Sequence, residues 1–361
     1  MTREIFHYVD GYRGLLADVR QEIYAAWDVC LTDSENSSGE LTLKIAPRNP
    51  EFNALVTMRS EISVEDDGSE IWRGRLIAQE MDKHGIKTLQ IKGLMDYLHD
   101  SFLEPQTLQG SRSAVLQTVL AGHNSFGLEA YKNVSAGNVF EDGASIEYEI
   151  AQPKKTWEIL SALVKEYGGL LACRRQDGVT FLDWTDDSTE ARYKNSQTLV
   201  LGKNVLDLKS SVSGDKLATR IYGYGKKKDD VYLSPASANN GLPYVEDPVA
   251  RTCFGIIAKP LIVSSAESAE ALLEEMRKEL EACVKEARTI EASAIDRYDR
   301  GDAQEMLRAG HSTQLIADPL SIDEWVNVSK IQRYLFEPHK TKVSLGSSLS
   351  TVSKLIIGDR L

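Results

Sequence analysis

Glu40-Leu41-Thr42-Leu43-Lys44-Ile45 alternates polar and apolar residues, so Leu41, Leu43 and Ile45 share one face and the polar residues the other. This is the pattern of a strand with one wet side. Downstream, Ile62-Ser63-Val64 and Ile71-Trp72-Arg73-Gly74-Arg75-Leu76 flank Asp66-Asp67-Gly68-Ser69, whose Asp-Gly step supplies the positive φ values of a tight hairpin. Lys83-His84-Gly85 makes the next reversal before Thr88 to Lys92. The alternation runs from Leu15 to Met95, and residues 1–104 read as an antiparallel β-barrel or sandwich.

The character changes at Pro105. Val115, Leu116, Val119 and Leu120 recur at helical spacing, with Gly122 and Asn124 as a stop. After Pro153 a second helix carries Trp157, Leu160, Val164 and Tyr167 on one stripe and ends at Gly168-Gly169. Leu170 to Arg175 and Val179 to Trp184 then flank the hairpin signal Gln176-Asp177-Gly178. Residues 105–200 are expected to form an inserted α+β domain.

Alternation returns in Ala218 to Tyr224 and is interrupted by Ser234 to Pro248, a stretch rich in Asn, Gly and Pro that predicts a loop or lid. A helix from about Ser265 to Glu286 follows. Ser264 with Glu267 has the form of a capping box, and Leu273, Met276, Leu280, Cys283 and Ala287 keep one apolar stripe. Glu274 with Lys278 and Glu281 with Lys285 support its wet face. The remainder reads as strands at Thr289 to Ile295, Leu307 to Ile316, Trp325 to Tyr334 and Lys340 to Leu345. Residues 201–361 are thus a second barrel with an excursion over about 228–290. The fold class expected is α+β, mainly β, with two antiparallel barrels around an inserted domain.

At 361 residues the chain is long enough for several cores, and 42% hydrophobic with 27% charged residues is ordinary globular usage. The 54 acidic residues outweigh 42 basic ones, giving a formal charge of −12, the wrong sign for a surface that grips phosphates. No apolar run reaches the ~20 residues of a membrane helix, and Arg3, Glu4 and His7 leave no apolar signal core at the start. A soluble chain without stable membrane association is expected.

Motifs for chemistry are missing. Cys30, Cys173, Cys253 and Cys283 form no CxxC pair and read as reduced, packed thiols. His7, His84, His99, His123, His311 and His339 never fall at i,i+2 or i,i+4, so no local zinc site is spelled out. Gly223-Tyr224-Gly225-Lys226-Lys227-Lys228 lacks the Gly-Lys-Ser/Thr ending of a phosphate loop and reads as a charged hairpin tip continued by Asp229-Asp230. Asp183 with Asp186 is a conceivable acid/base pair, for which solvated surface is the simpler reading. Asn36, Asn133 and Asn327 open glycan-acceptor patterns that have no meaning without secretion. No catalytic, cofactor-binding or metal residue is assigned.

Several segments, in order, resemble the prophage tail proteins, also called phage minor structural proteins or tail-associated lysins, whose N-terminal part is a baseplate hub. Gly39-Glu40-Leu41-Thr42-Leu43 is similar to that family's early strand, Trp72-Arg73-Gly74-Arg75-Leu76 to its W-x-G-R-I strand, and Gly93 to Ser101 to the exit from its first barrel. His123-Asn124, Tyr167-Gly168-Gly169-Leu170-Leu171, Leu201-Gly202-Lys203-Asn204-Val205-Leu206-Asp207-Leu208 and Asn240 to Asp247 follow in the family's order. Glu337 to Gly346 resembles its P-x-x-T-x-i-x-l-G closing strand.

The resemblance implies a structural hub at the virion tail tip, made in the bacterial host cytoplasm. It implies a homotrimer whose two barrels per subunit give six similar units around a DNA channel. Its implied partners are the distal tail protein, the tail tube and the tape measure protein, with DNA only passing through and no cofactor. The chemistry that longer relatives carry in distal extensions is not expected in a chain ending at Leu361. A tail endopeptidase, as some relatives are named, and a host-surface adhesin are the alternatives. The first needs a nucleophile or metal constellation and the second an aromatic-rich or repetitive distal module, and neither pattern stands in the sequence.

Overall fold

The Asp67-Gly68 step turns as its residues allow, with φ of 46° and 80°. From it β5 (Glu61–Asp66) and β6 (Ser69–Met81) run antiparallel. A computed structural model describes residues 3–143, 145–188, 193–212, 214–215, 217–228, 231–286, 288–300, 305–320 and 322–346. The fold is mainly β, with a curled half-barrel sheet and a few helices. The chain forms two compact units. One comprises Met1–Leu206, Ser293–Thr313 and Val328–Ser344, the other Asp207–Ala292, Gln314–Asn327 and Leu345–Leu361.

In the first unit, β1 (Arg3–Val9), β2 (Tyr12–Asp18), β3 (Ala26–Ser34), β4 (Glu40–Ile45) and β7 (Lys87–Gly93) join β5 and β6. All pairs are antiparallel, in the order β3-β4-β7-β6-β5-β1-β2, and Lys330–Tyr334 adds a further strand beside β3. Register shifts between Trp27 and Cys30 and between Leu76 and Ala78 bend the long strands, as bulges do. The inward set is the one read from the alternation: Leu41, Leu43 and Ile45 are buried with Ile5, Leu16, Ile62, Val64, Leu76, Leu89 and Ile91.

Within the same unit, α1 (Arg112–Asn124) and α2 (Thr156–Tyr167) enclose a second core with Trp184. Ser111 caps α1, its hydroxyl accepting from the Ala114 N–H at 3.3 Å. Val115, Leu116, Val119 and Leu120 are buried as their spacing predicts. On α2 the deepest residues are Ile159, Leu160 and Leu163, while Trp157, Val164 and Tyr167 pack at the margin, so the stripe lies to one side of the one read from sequence. Leu170–Gln176 and Val179–Thr185 form the expected hairpin, with positive φ at Asp177 and Gly178.

In the second unit, α4 (Ala269–Glu286) follows the short α3 (Pro248–Phe254) and covers a sheet of Tyr244–Glu246, Arg220–Tyr224 and Ala258–Ile262. Leu273, Met276, Leu280 and Cys283 are buried, as predicted, while Ala287 and the Lys285 side chain lie outside the described residues. A Cβ on Gly223 would stand 2.1 Å from the Met276 sulfur, so the glycine leaves the room that the Met276 side chain fills.

Three expectations need correction. The capping box at Ser264 and Glu267 is not used: the helix starts at Ala269, and the Ser268 hydroxyl accepts from the Ala271 N–H at 3.2 Å. Ser268 is itself a good cap, and Glu267 is instead paired with Lys226. Ser234 to Pro248 is not all loop, because Tyr244–Glu246 pairs with Arg220–Tyr222. The strand expected from Leu307 begins at Ser312, since the N–H groups of Leu307, Arg308 and Ala309 donate to the side chains of Asp296, Asn195 and Asp33. No described helix is long and apolar enough to cross a membrane.

Candidate functional site

Strand β1 alternates Ile5 and His7 inward, and this puts an imidazole where a core side chain would stand. His7 Nδ1 lies 2.8 Å from Glu51 Oε2, and its Nε2 lies 2.7 Å from the Ser60 hydroxyl. Acid, histidine and hydroxyl therefore stand in the order of a hydrolytic triad. Glu51 is delivered by the β4–β5 connection, where Asn49 folds the chain by donating to the Leu16 carbonyl at 2.7 Å and accepting from the Glu51 N–H at 3.0 Å. A Cβ on Gly14 would sit 2.2 Å from Glu51 Oε1, so the glycine on β2 makes the room for this carboxylate. Tyr12 donates to the same oxygen at 2.7 Å, and this bond raises the Tyr12 pKa.

Order alone does not make a nucleophile. His7 and Ser60 have no exposed surface and Glu51 is 4% exposed. The Ser60 hydroxyl oxygen already accepts from the Val56 N–H at 2.9 Å. A substrate carbonyl must come within about 3 Å of the attacking oxygen, and here the oxygen is enclosed by the sheet and the β4–β5 connection. The group instead ties β1, β2 and that connection together through buried polar bonds.

A second enclosed histidine supports this reading. His123, at the end of α1, has Nε2 3.1 Å from the Lys132 carbonyl and Nδ1 2.5 Å from the Ser101 hydroxyl, which also meets the Thr156 hydroxyl at 2.7 Å. A carbonyl only accepts, so Nε2 carries the proton and Nδ1 accepts from Ser101, which is the neutral imidazole. Burial lowers the His123 pKa and favours that form.

The other residues weighed in the sequence do not converge. His99 packs against Trp157 and His311 against Tyr193. His84 sits in the turn closed by Asp82, and His339 in a short turn at Pro338–Lys340. Among the described residues no three His, Cys, Asp or Glu side chains gather as a metal site. All four cysteines are free, and burial pushes the Cys173 thiol up to about 12. Asp183 is buried and accepts from the Asn138 N–H and Arg174, tying its strand to a distant one, while Asp186 accepts from the Ser188 N–H and holds its own turn. Lys227–Lys228 pairs with Val231–Tyr232 as a hairpin, and its tip at Asp229-Asp230 lies outside the described residues.

Residues 193–356 match the family described as Prophage endopeptidase tail. Over that segment the chain is similar to the prophage tail family. No curated protein matches it. A fold shared with solved tail proteins extends over nearly the whole chain. It resembles the 43 kDa tail protein of prophage MuSo2 from Shewanella oneidensis, with a TM-score of 0.65 and 16% identity over 97% of this chain and 99% of that one. A tail protein from Neisseria meningitidis MC58 matches at 0.64 and 14% identity, covering 98% and 99%. The prophage tail protein gp18 of Listeria monocytogenes EGD-e matches at 0.60 and 15% identity, covering 99% and 98%.

Proposed function

We propose that the chain is a structural subunit of a phage or prophage tail, forming a homotrimeric hub ring at the tail tip around the DNA channel. The observation that carries the reading is a fold shared over 97–99% of the chain with tail proteins of three organisms. Its neighbours would be the distal tail protein, the tail tube and the tape measure protein. The excess of acid fits a passage that DNA must slide through, because a basic lumen would bind phosphates and release their counterions. Imaging of the assembled ring tests this, and a lumen lined mainly by Lys and Arg would contradict it.

One observation favours a second reading, a peptidase using Ser60, His7 and Glu51, since the three stand in triad order. Their enclosure argues for the structural role. Purified chain and its Ser60→Ala variant are both expected to leave casein and peptidoglycan intact. Cleavage by the unaltered chain that the substitution abolishes would establish the peptidase.

A further inference from the structure

Against the negative balance of the chain, one cleft of the first unit is basic. It has a volume of about 570 Å³ and lies between the Trp72 segment of β6, the Leu170–Gln176 hairpin strand and the stretch around Arg308. Four guanidinium groups line it, from Arg73, Arg174, Arg175 and Arg308, against two carboxylates, Glu70 and Asp177. Two of the four are occupied. Arg73 donates to Glu70 at 2.6 and 2.9 Å, and Arg174 donates to Asp183 at 3.0 Å.

The other two are not. Neither Arg175 nor Arg308 makes a side-chain hydrogen bond or close ion pair among the described residues, although the Arg308 charge acts on the buried Asp33 from a distance, and Arg175 Nη1 is buried with no acceptor. Buried donors nearly always have a partner, so this guanidinium is one that no internal acceptor holds, and its place in the cleft lining leaves its accessible edge to an acceptor that arrives from outside. Residues Arg175 and Cys173 share one face of their strand, and both line the cleft. Trp72 forms a fixed wall, its indole N–H donating to the Ser38 carbonyl at 2.7 Å.

We propose that this cleft receives an acidic peptide segment of a partner protein, whose carboxylate is gripped by Arg175 and Arg308. The planar fork of arginine matches a carboxylate with two parallel bonds. A nucleic acid is the poorer fit. Its stiff run of phosphates needs an extended track of cations, whereas the cleft offers two unoccupied arginines between Asp177 and the Arg73-bound Glu70, enough for the flexible side-chain carboxylates of a short peptide. The inference rests on the cleft alone and holds whether or not the chain forms a ring.

Calorimetric titration of the full chain at low salt tests it, with blocked hexaglutamate as one probe and a single-stranded DNA oligonucleotide as the other. Hexaglutamate is expected to bind saturably and to weaken as salt screens the charges. The double variant Arg175→Gln, Arg308→Gln should weaken it by about tenfold or more, which corresponds to ~1.4 kcal/mol. Arg308→Gln alone, at an exposed side chain with no hydrogen bond of its own, is expected to keep the fold and to weaken binding measurably. Arg251→Gln, in the other unit, should not. Absence of saturable binding at millimolar peptide would overturn the proposal. So would equal affinity in the variants, or DNA binding tighter than the peptide and lost with the same two substitutions.

Discussion

Ser60→Ala removes the hydroxyl that meets His7 Nε2 and leaves a fully buried ring nitrogen without its partner. The expected cost is about 1–3 kcal/mol, read as a lower denaturant midpoint with an unchanged slope. An unchanged midpoint would show that the polar group does not hold β1 in place. His123 gives a pH dependence of known sign. Its folded pKa lies below the ordinary 6.5, so its contribution is full above that pH. As the pH falls below 6.5 the unfolded chain takes up the proton first, and stability drops. His123→Gln should flatten the fall in melting temperature between about pH 7 and 5 relative to the unaltered chain. Neither group was legible in the sequence, since Glu51 and Ser60 stand 44 and 53 positions from His7 and only the β1–β5 pairing brings them together.

At the scale of elements, α4 offers the plainest test of packing. Leu280 is 8% exposed and sits with Met276 and Ile221 in the core of the second unit. Leu280→Ala should therefore destabilise by about 2–5 kcal/mol through lost transfer energy and a cavity. A change no larger than that of an exposed-site control would mean the helix is free of the core. Most elements could be read because their signals are local: the alternation at 40–45, the Asp-Gly turns and the apolar stripe of α4 each depend on neighbours a few residues away. The errors fell where distant side chains decide. Leu307 to Ala309 read as strand, but Asp296, Asn195 and Asp33 take their backbone donors. Tyr244–Glu246 read as loop because a three-residue strand between Asn-Gly-Leu-Pro and Asp-Pro is too short to show alternation, although Tyr and Val are strand formers, and only the pairing with Arg220–Tyr222 reveals it.

For the whole molecule, the mainly β fold was legible, because turn glycines and alternating strands are local signals, and the likeness to tail proteins was legible in short ordered segments although identity to the solved ones is only 14–16%. Assembly was not, since an interface between copies leaves no periodic mark in one chain. The homotrimer is therefore the claim on which the proposed role depends. An obligate interface of the usual kind buries roughly 2,000–5,000 Å² and should persist on dilution. Light scattering of the purified chain across the micromolar range measures it most directly: the predicted result is a particle of three 40.1 kDa chains, and a single-chain mass at every concentration would contradict the account.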